Sequence, residues 1–216
     1  LPVSSFKDGI LVFMATNRGV VKKVSLSEFA NPRKGGIAAI TLVAGDELSH
    51  VALTDGERNM LIATKKGMAV RFSERTVRPM GRTARGVAGI RLRKDDEVVG
   101  FLVEDPKRDV LTITGNGFGK RTAVDEYRLT NRGGVGVTNV KLTEKNGSVV
   151  AVMPVLQDDE VLVLSKNGVV VRVPAQQISR IGRNTQGVRV MRLSDDDVVS
   201  SVALVKENES ELVKDE

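Results

Sequence analysis

The sequence contains no cysteine and no tryptophan, one tyrosine and one histidine, and aromatic residues fill only 3% of its 216 positions. Without cysteine there is no disulfide, no thiolate nucleophile and no zinc site of the cysteine type, and the composition fits a reducing compartment. The lone histidine, His50, has no neighbour at a spacing that builds a metal site or a triad. With so few rings the core has to be Val, Leu, Ile and Met, and the aromatic platforms on which single-stranded nucleic acid stacks are missing. The longest apolar run, Ile10 to Ala15, is six residues, far short of a membrane span. The chain opens on Leu1-Pro2-Val3 without the basic start of a signal peptide, so a cytoplasmic location is expected.

What the sequence has instead is a pair of glycines repeated four times. Gly19, Gly67, Gly117 and Gly168 recur at periods of 48, 50 and 51, each followed four residues later by Lys or Arg. Gly36, Gly86, Gly136 and Gly187 follow, each six residues ahead of a leucine. A period near 50 belongs to radial arrays such as propellers. In the second copy, Met60 to Thr64 and Met68 to Phe72 flank the turn Lys65-Lys66-Gly67 as a β-hairpin. After an irregular connection, Val87 to Leu92 alternates as a third strand, and Val98 to Val103 follows a polar turn as a fourth. Four strands per copy make one propeller blade. The reading is therefore all-β: four four-stranded blades over 10–54, 59–104, 109–155 and 160–205 in a single domain, 1–205, with 206–216 as an acidic tail. Leu1-Pro2-Val3 matches the end of the strand Ala151 to Val155, so residues 1–3 read as the remnant strand of a preceding repeat and the chain as a fragment of a longer polypeptide.

Formal charge is +6. Lys206 to Glu216 hold two lysines and five acids, leaving 31 basic against 22 acidic side chains on residues 1–205. Such an excess favours a polyanion, nucleic acid before membrane. The basic residues recur in two sets. One follows the hairpin turn (Lys22, Lys23, Arg71, Lys120, Arg121, Arg172); the other precedes the second glycine (Arg33, Lys34, Arg82, Arg85, Arg132, Arg183). Equivalent positions in a radial array fall at equivalent places on its rim, so these twelve are the candidate contacts to the phosphates of a curved duplex. No recognition helix is visible, so base readout should be slight and bendability should matter.

Other chemistry finds little support. Gly115-Asn-Gly-Phe-Gly-Lys120-Arg121 lacks the leading glycine, the Ser or Thr and the following helix of a phosphate loop. Tyr127 could attack a DNA phosphate, but its sister positions are Phe29, Val77 and Ile178, which marks it as a packing residue. Neither a catalytic residue nor a cofactor or metal site is expected.

Several segments together resemble the C-terminal domain of the bacterial DNA gyrase A subunit: Val12 to Lys23, Val77-Arg-Pro-Met-Gly-Arg-Thr83, Gly117-Phe-Gly-Lys-Arg-Thr-Ala-Val124 and Gly182-Arg-Asn-Thr-Gln-Gly-Val188. That resemblance implies a six-bladed β-pinwheel, a propeller variant whose blades exchange strands and whose basic rim wraps duplex DNA. It implies a non-catalytic role in ATP-dependent negative supercoiling, ATP and Mg belonging only to the parent holoenzyme. The partners it implies are duplex DNA and the remaining parts of the gyrase holoenzyme, namely the rest of the gyrase A polypeptide and the gyrase B polypeptide, in the bacterial cytoplasm and with no membrane. The family's box, Gln-Arg-Arg-Gly-Gly-Lys-Gly, which lies in the first blade, is absent, with Arg132 to Gly136 a degenerate echo, and by the repeat count the resemblance implies that the chain corresponds to blades three to six. The related domain of topoisomerase IV and a propeller scaffold for acidic protein partners are the alternatives.

Overall fold

A computed structural model of the protein describes Val3 and residues 5–205, and the described residues form fifteen strands. Each repeat opens with a hairpin: β1 (Leu11–Thr16) and β2 (Val20–Ser25), β4 (Asn59–Thr64) and β5 (Met68–Ser73), β8 (Asp109–Thr114) and β9 (Phe118–Ala123), β12 (Glu160–Ser165) and β13 (Val170–Pro174). A short 3-10 turn follows each hairpin. Each repeat closes on a strand that returns antiparallel to its first: β3 (Leu48–Thr54), β7 (Val98–Val103), β11 (Val149–Val155) and β15 (Val199–Val205). Between them lie three two-residue strands, β6 (Val87–Ala88), β10 (Val137–Thr138) and β14 (Val188–Arg189).

Those short strands leave their own repeat. β6 of the second repeat pairs with β2 of the first, with Val21 opposite Val87, and β14 of the fourth pairs with β9 of the third, with Gly119 opposite Val188. β10 of the third repeat lies beside β5 of the second. In these blades three strands are local and the outermost comes from the next repeat, the exchange that the resemblance implies, whereas reading one repeat by itself put all four strands in one copy. The expected strand Val87 to Leu92 is also shorter, because the amides of Gly89 and Ile90 turn to Gly19 O. In the fourth repeat the order is β13-β12-β15, and no described strand covers β13; Val169 just before it and Val170 at its start are 50% and 58% exposed.

The chain divides into two compact units, and the division follows the exchange. One holds residues to Thr64, Ala69–Glu104 and Arg128–Val137; the other holds Lys65–Met68, Asp105–Tyr127 and residues from Thr138 on. In the first unit Phe13 and Ala15 pack with Met60, Ile62, Phe72 and Phe101, the Phe13 and Phe101 rings stacked with centroids 5.5 Å apart. In the second unit an aliphatic cluster is centred on Leu111, Ile113, Val161, Val163 and Ile178. Among the described residues no helix is long and apolar enough to cross a membrane. Leu1, Pro2 and the acidic tail lie outside the described residues, and Val3 is not in a strand.

The glycine pair is explained by close approach. At Gly136, φ is +83°, and a Cβ there would stand 2.2 Å from Ala69 O. Its sisters Gly86 and Gly187 face the carbonyls of Val21 and Gly119 in the same way, at 2.6 and 2.8 Å. The second glycine of each of these repeats is therefore where the exchanged strand meets the neighbouring hairpin, and a side chain has no room there.

Candidate nucleic-acid interface

The first basic set lies on the strand that returns from each hairpin turn. Alternation places Lys23, Arg71, Arg121 and Arg172 at equivalent positions, and all four hold a carboxylate. Lys23 Nζ stands 3.7 Å from Glu74 Oε2 and donates to Glu74 O at 3.0 Å. Arg71 grips Glu104 with two parallel bonds of 2.7 and 2.6 Å. Arg121 donates to Ile178 O at 2.9 Å and to Asp109 at 3.2 Å. Arg172 pairs with Glu160 at the surface. Lys23 and Arg121 are buried, so these two do not stand on a rim as expected: with only 22 acids on the body, charge is neutralised where strands meet and a buried cation needs its partner.

The position before them behaves differently. Lys22 and Lys120 have no exposed surface, which corrects their expected placement on the rim. Lys22 Nζ donates to Ala39 O at 2.8 Å and to Arg82 O. Lys120 Nζ donates to Gly182 O at 2.8 Å, to Arg183 O and to Thr185 Oγ1 at 3.3 Å, which occupies all three donors of an ammonium. Burial, aided by the Arg82 guanidinium, holds the Lys22 pKa below its ordinary value. Burial and then the Arg183 guanidinium pull Lys120 down to about 7. The unfolded chain keeps the Lys120 proton to about 10.5 and the folded chain only to about 7, so between these values unfolding takes up a proton and stability rises with pH. Denaturant titrations from pH 7 to 9 should show this rise, and Lys120→Met should flatten it; an unchanged slope in the variant would refute the assignment.

The second basic set forms staples between successive repeats. Arg132 donates from Nε to Thr76 O and from Nη1 to Ala88 O, both at 3.0 Å. Arg183 makes the equivalent bonds to Glu126 O and Thr138 O, both at 2.6 Å. Arg82 repeats the pattern more loosely, reaching Ala38 O at 3.3 Å and Glu28 Oε2 at 3.8 Å. Each guanidinium ties the 3-10 turn of one repeat to the segment that follows that repeat's second glycine. Arg33, Lys34 and Arg85 are exposed, as is Arg172.

Arg91, Lys141 and Arg192, absent from both sets, are exposed at one position, five residues after the second glycine. The backbone at the first two is anchored, with Arg91 N bonded to Gly134 O at 2.8 Å and Lys141 N to Thr185 O at 3.0 Å. The register that located the other sets also locates these three. The exposed recurrence continues at Arg18 and Lys166 in the hairpin turns and at Arg78 and Arg128 beyond the 3-10 turns.

Tyr127 is fully buried and donates to Asn139 Oδ1 at 2.5 Å, with its pKa raised by burial. That hydroxyl is out of reach of a phosphate. His50 lies on β3 beside Ser49, its ring 6.2 Å from that of Phe101, and burial lowers its pKa.

Known proteins match this arrangement along its length. The family model described as DNA gyrase C-terminal domain, beta-propeller, matches residues 11–55, 58–103, 108–156 and 159–206. The DNA gyrase A protein of Halalkalibacterium halodurans is 53% identical over 216 residues, all of this chain and 26% of that protein. Its counterpart in Buchnera aphidicola subsp. Acyrthosiphon pisum is 58% identical over 206 residues, 95% of this chain and 25% of its own length. The chain thus spans about a quarter of the curated relatives it matches. A solved DNA gyrase A C-terminal domain superposes with a TM-score of 0.83 at 29% identity, over 94% of this chain and 68% of that one. The C-terminal domain of DNA topoisomerase IV superposes with a TM-score of 0.89 at 23% identity, over 95% and 65%.

Proposed function

Because the chain belongs to the DNA gyrase C-terminal domain family, with a segment of the family model on each of its four repeats, we propose that it binds and bends duplex DNA without sequence specificity. In this reading it works beside the rest of the gyrase A polypeptide and the gyrase B polypeptide in the bacterial cytoplasm, supporting ATP-dependent negative supercoiling without catalysing a step or holding a cofactor itself.

The observation that carries the reading is the recurrent exposed set Arg91, Lys141 and Arg192, on a body with nine excess positive charges. Exposed guanidinium and ammonium groups on anchored backbone suit phosphates, which are contacted at regular spacing and without reference to base identity. Arg33, Lys34, Arg85 and Arg172 add to this surface. Lys22, Lys23, Arg71, Lys120, Arg121, Arg82, Arg132 and Arg183 shape it from within. The superposition on topoisomerase IV speaks for the shared fold, while identities of 53% and 58% favour the gyrase assignment.

Fluorescence anisotropy of a short duplex across a salt series tests the proposal. The log of affinity should fall linearly with log salt, and Arg91→Gln, Lys141→Gln and Arg192→Gln should each reduce the slope by about 0.9 without unfolding the chain. A shallow slope that the triple variant leaves unchanged would instead favour a scaffold for acidic protein partners.

A further inference from the structure

A cavity of about 200 Å³ opens in the first unit beside β5, lined by Arg71, Arg128, Thr130, Asn131, Gly134 and Gly136 among others. We propose that this cavity holds one phosphate group.

The electrostatics favour an anion of low charge. Arg71 enters the cavity already gripping Glu104 through two bonds, so that pair adds little net charge. Arg128 is exposed and forms no ion pair with a described residue, which leaves one positive charge uncommitted. Thr130 and Asn131 line the same wall, the Thr130 hydroxyl already donating to Arg71 O at 3.3 Å and the Asn131 amide remaining as a donor. A guanidinium fork with an amide donor beside it matches the oxygens of a phosphate more fully than it matches a halide.

The cavity stays open because of one residue. Gly134 has no left-handed φ, and a Cβ placed on it would have Gly136 N at 3.9 Å and Asn131 O at 4.0 Å as its nearest atoms. Backbone geometry therefore does not require glycine here, and a side chain would simply project toward the amide of Gly136. The sister residues are Lys34, Ala84 and Thr185. Thr185 turns its hydroxyl onto Gly182 O at 2.7 Å and receives the ammonium of Lys120, so the fourth repeat fills its own loop. For the loop of the third repeat the preceding hairpin is that of the second, where the sister of Lys120 is Val70, and no ammonium enters. Meanwhile the loop is held in place: Gly133 N bonds Gly89 O at 2.7 Å, Gly134 O receives Arg91 N, and Arg132 is stapled to Thr76 and Ala88.

The phosphate can come from a DNA backbone, which rests on the function proposed above, or from a free phosphate ester. Inorganic phosphate titrated into the full chain, followed by backbone amide NMR, tests the site without reference to DNA. Saturable shifts at Gly134, Val135 and Gly136, lost in both Arg128→Gln and Gly134→Val, are expected. Absence of shifts in the parent chain, or shifts that survive both substitutions, would overturn the proposal. A duplex arm separates the sources. If DNA fills the cavity, Arg128→Gln should lower the salt slope by about 0.9 and weaken binding roughly eightfold at 0.1 M salt. Phosphate shifts with an unchanged duplex slope would keep the site, assign it to free phosphate esters and remove DNA as its occupant. Loss of duplex binding in the Arg91, Lys141 and Arg192 series leaves the phosphate arm untouched, so the two proposals fail separately.

Discussion

Gly136→Ala should lower the free energy of unfolding by about 2–5 kcal/mol, combining the cost of a left-handed backbone with that of overpacking. The added Cβ would meet Ala69 O at 2.2 Å and the Ala69 carbonyl carbon at 2.7 Å, both backbone atoms of a paired strand with nowhere to retreat. Gly134→Ala, two residues away in the same loop, meets nothing closer than 3.9 Å and should fall within about 0.5 kcal/mol of the parent. Urea unfolding of the two variants gives a direct comparison. Equal midpoints would mean that the exchanged strand is not pressed against β5 as described.

Glu74→Ala is expected to be comparably damaging, at about 3–5 kcal/mol, because it strands a buried cation. Glu74 is fully buried; its Oε1 accepts from Thr54 Oγ1 and, at 2.7 Å, from Arg58 N. Its Oε2 has no hydrogen-bond partner among the described residues and faces Lys23 Nζ at 3.7 Å. Removing both ends together should cost less than the sum of the single losses. A cycle of Glu74→Leu, Lys23→Met and the double variant should therefore show a coupling above about 1 kcal/mol, and simple additivity would refute a direct pair.

The first glycine of each repeat was legible as the turn position of a tight hairpin, whereas the close approach at Gly86, Gly136 and Gly187 was not. The sheet that the short strands join was not legible in the residues themselves, and only the resemblance implied an exchange. Gly86-Val87-Ala88 satisfies the same alternation whether it pairs with β5 or with β2, and only the packed structure decides. Lys22 and Lys120 misled for a related reason: a lysine in a strand beside a second basic residue reads as exposed, and the carbonyls that receive its ammonium lie about 60 residues further on. Glu74 carries a signal of its own in the register. Its sisters Leu26, Val124 and Ala175 are apolar and buried, so the position is internal and an acid there calls for a cation. Arg91, Lys141 and Arg192 were within reach of the same register and needed only one more column.

Strand exchange puts the unit of inheritance out of phase with the unit of stability. A stretch copied from one hairpin turn to the next carries its own outer strand away to a neighbour and depends on the following copy to supply a replacement. For the first repeat, the shortest segment that completes its sheet runs from Leu11 to Ala88, well past the 48-residue period. An ancestral single copy would therefore have been incomplete as a monomer, and tandem duplication would have supplied the missing strand at the same time as the repeat.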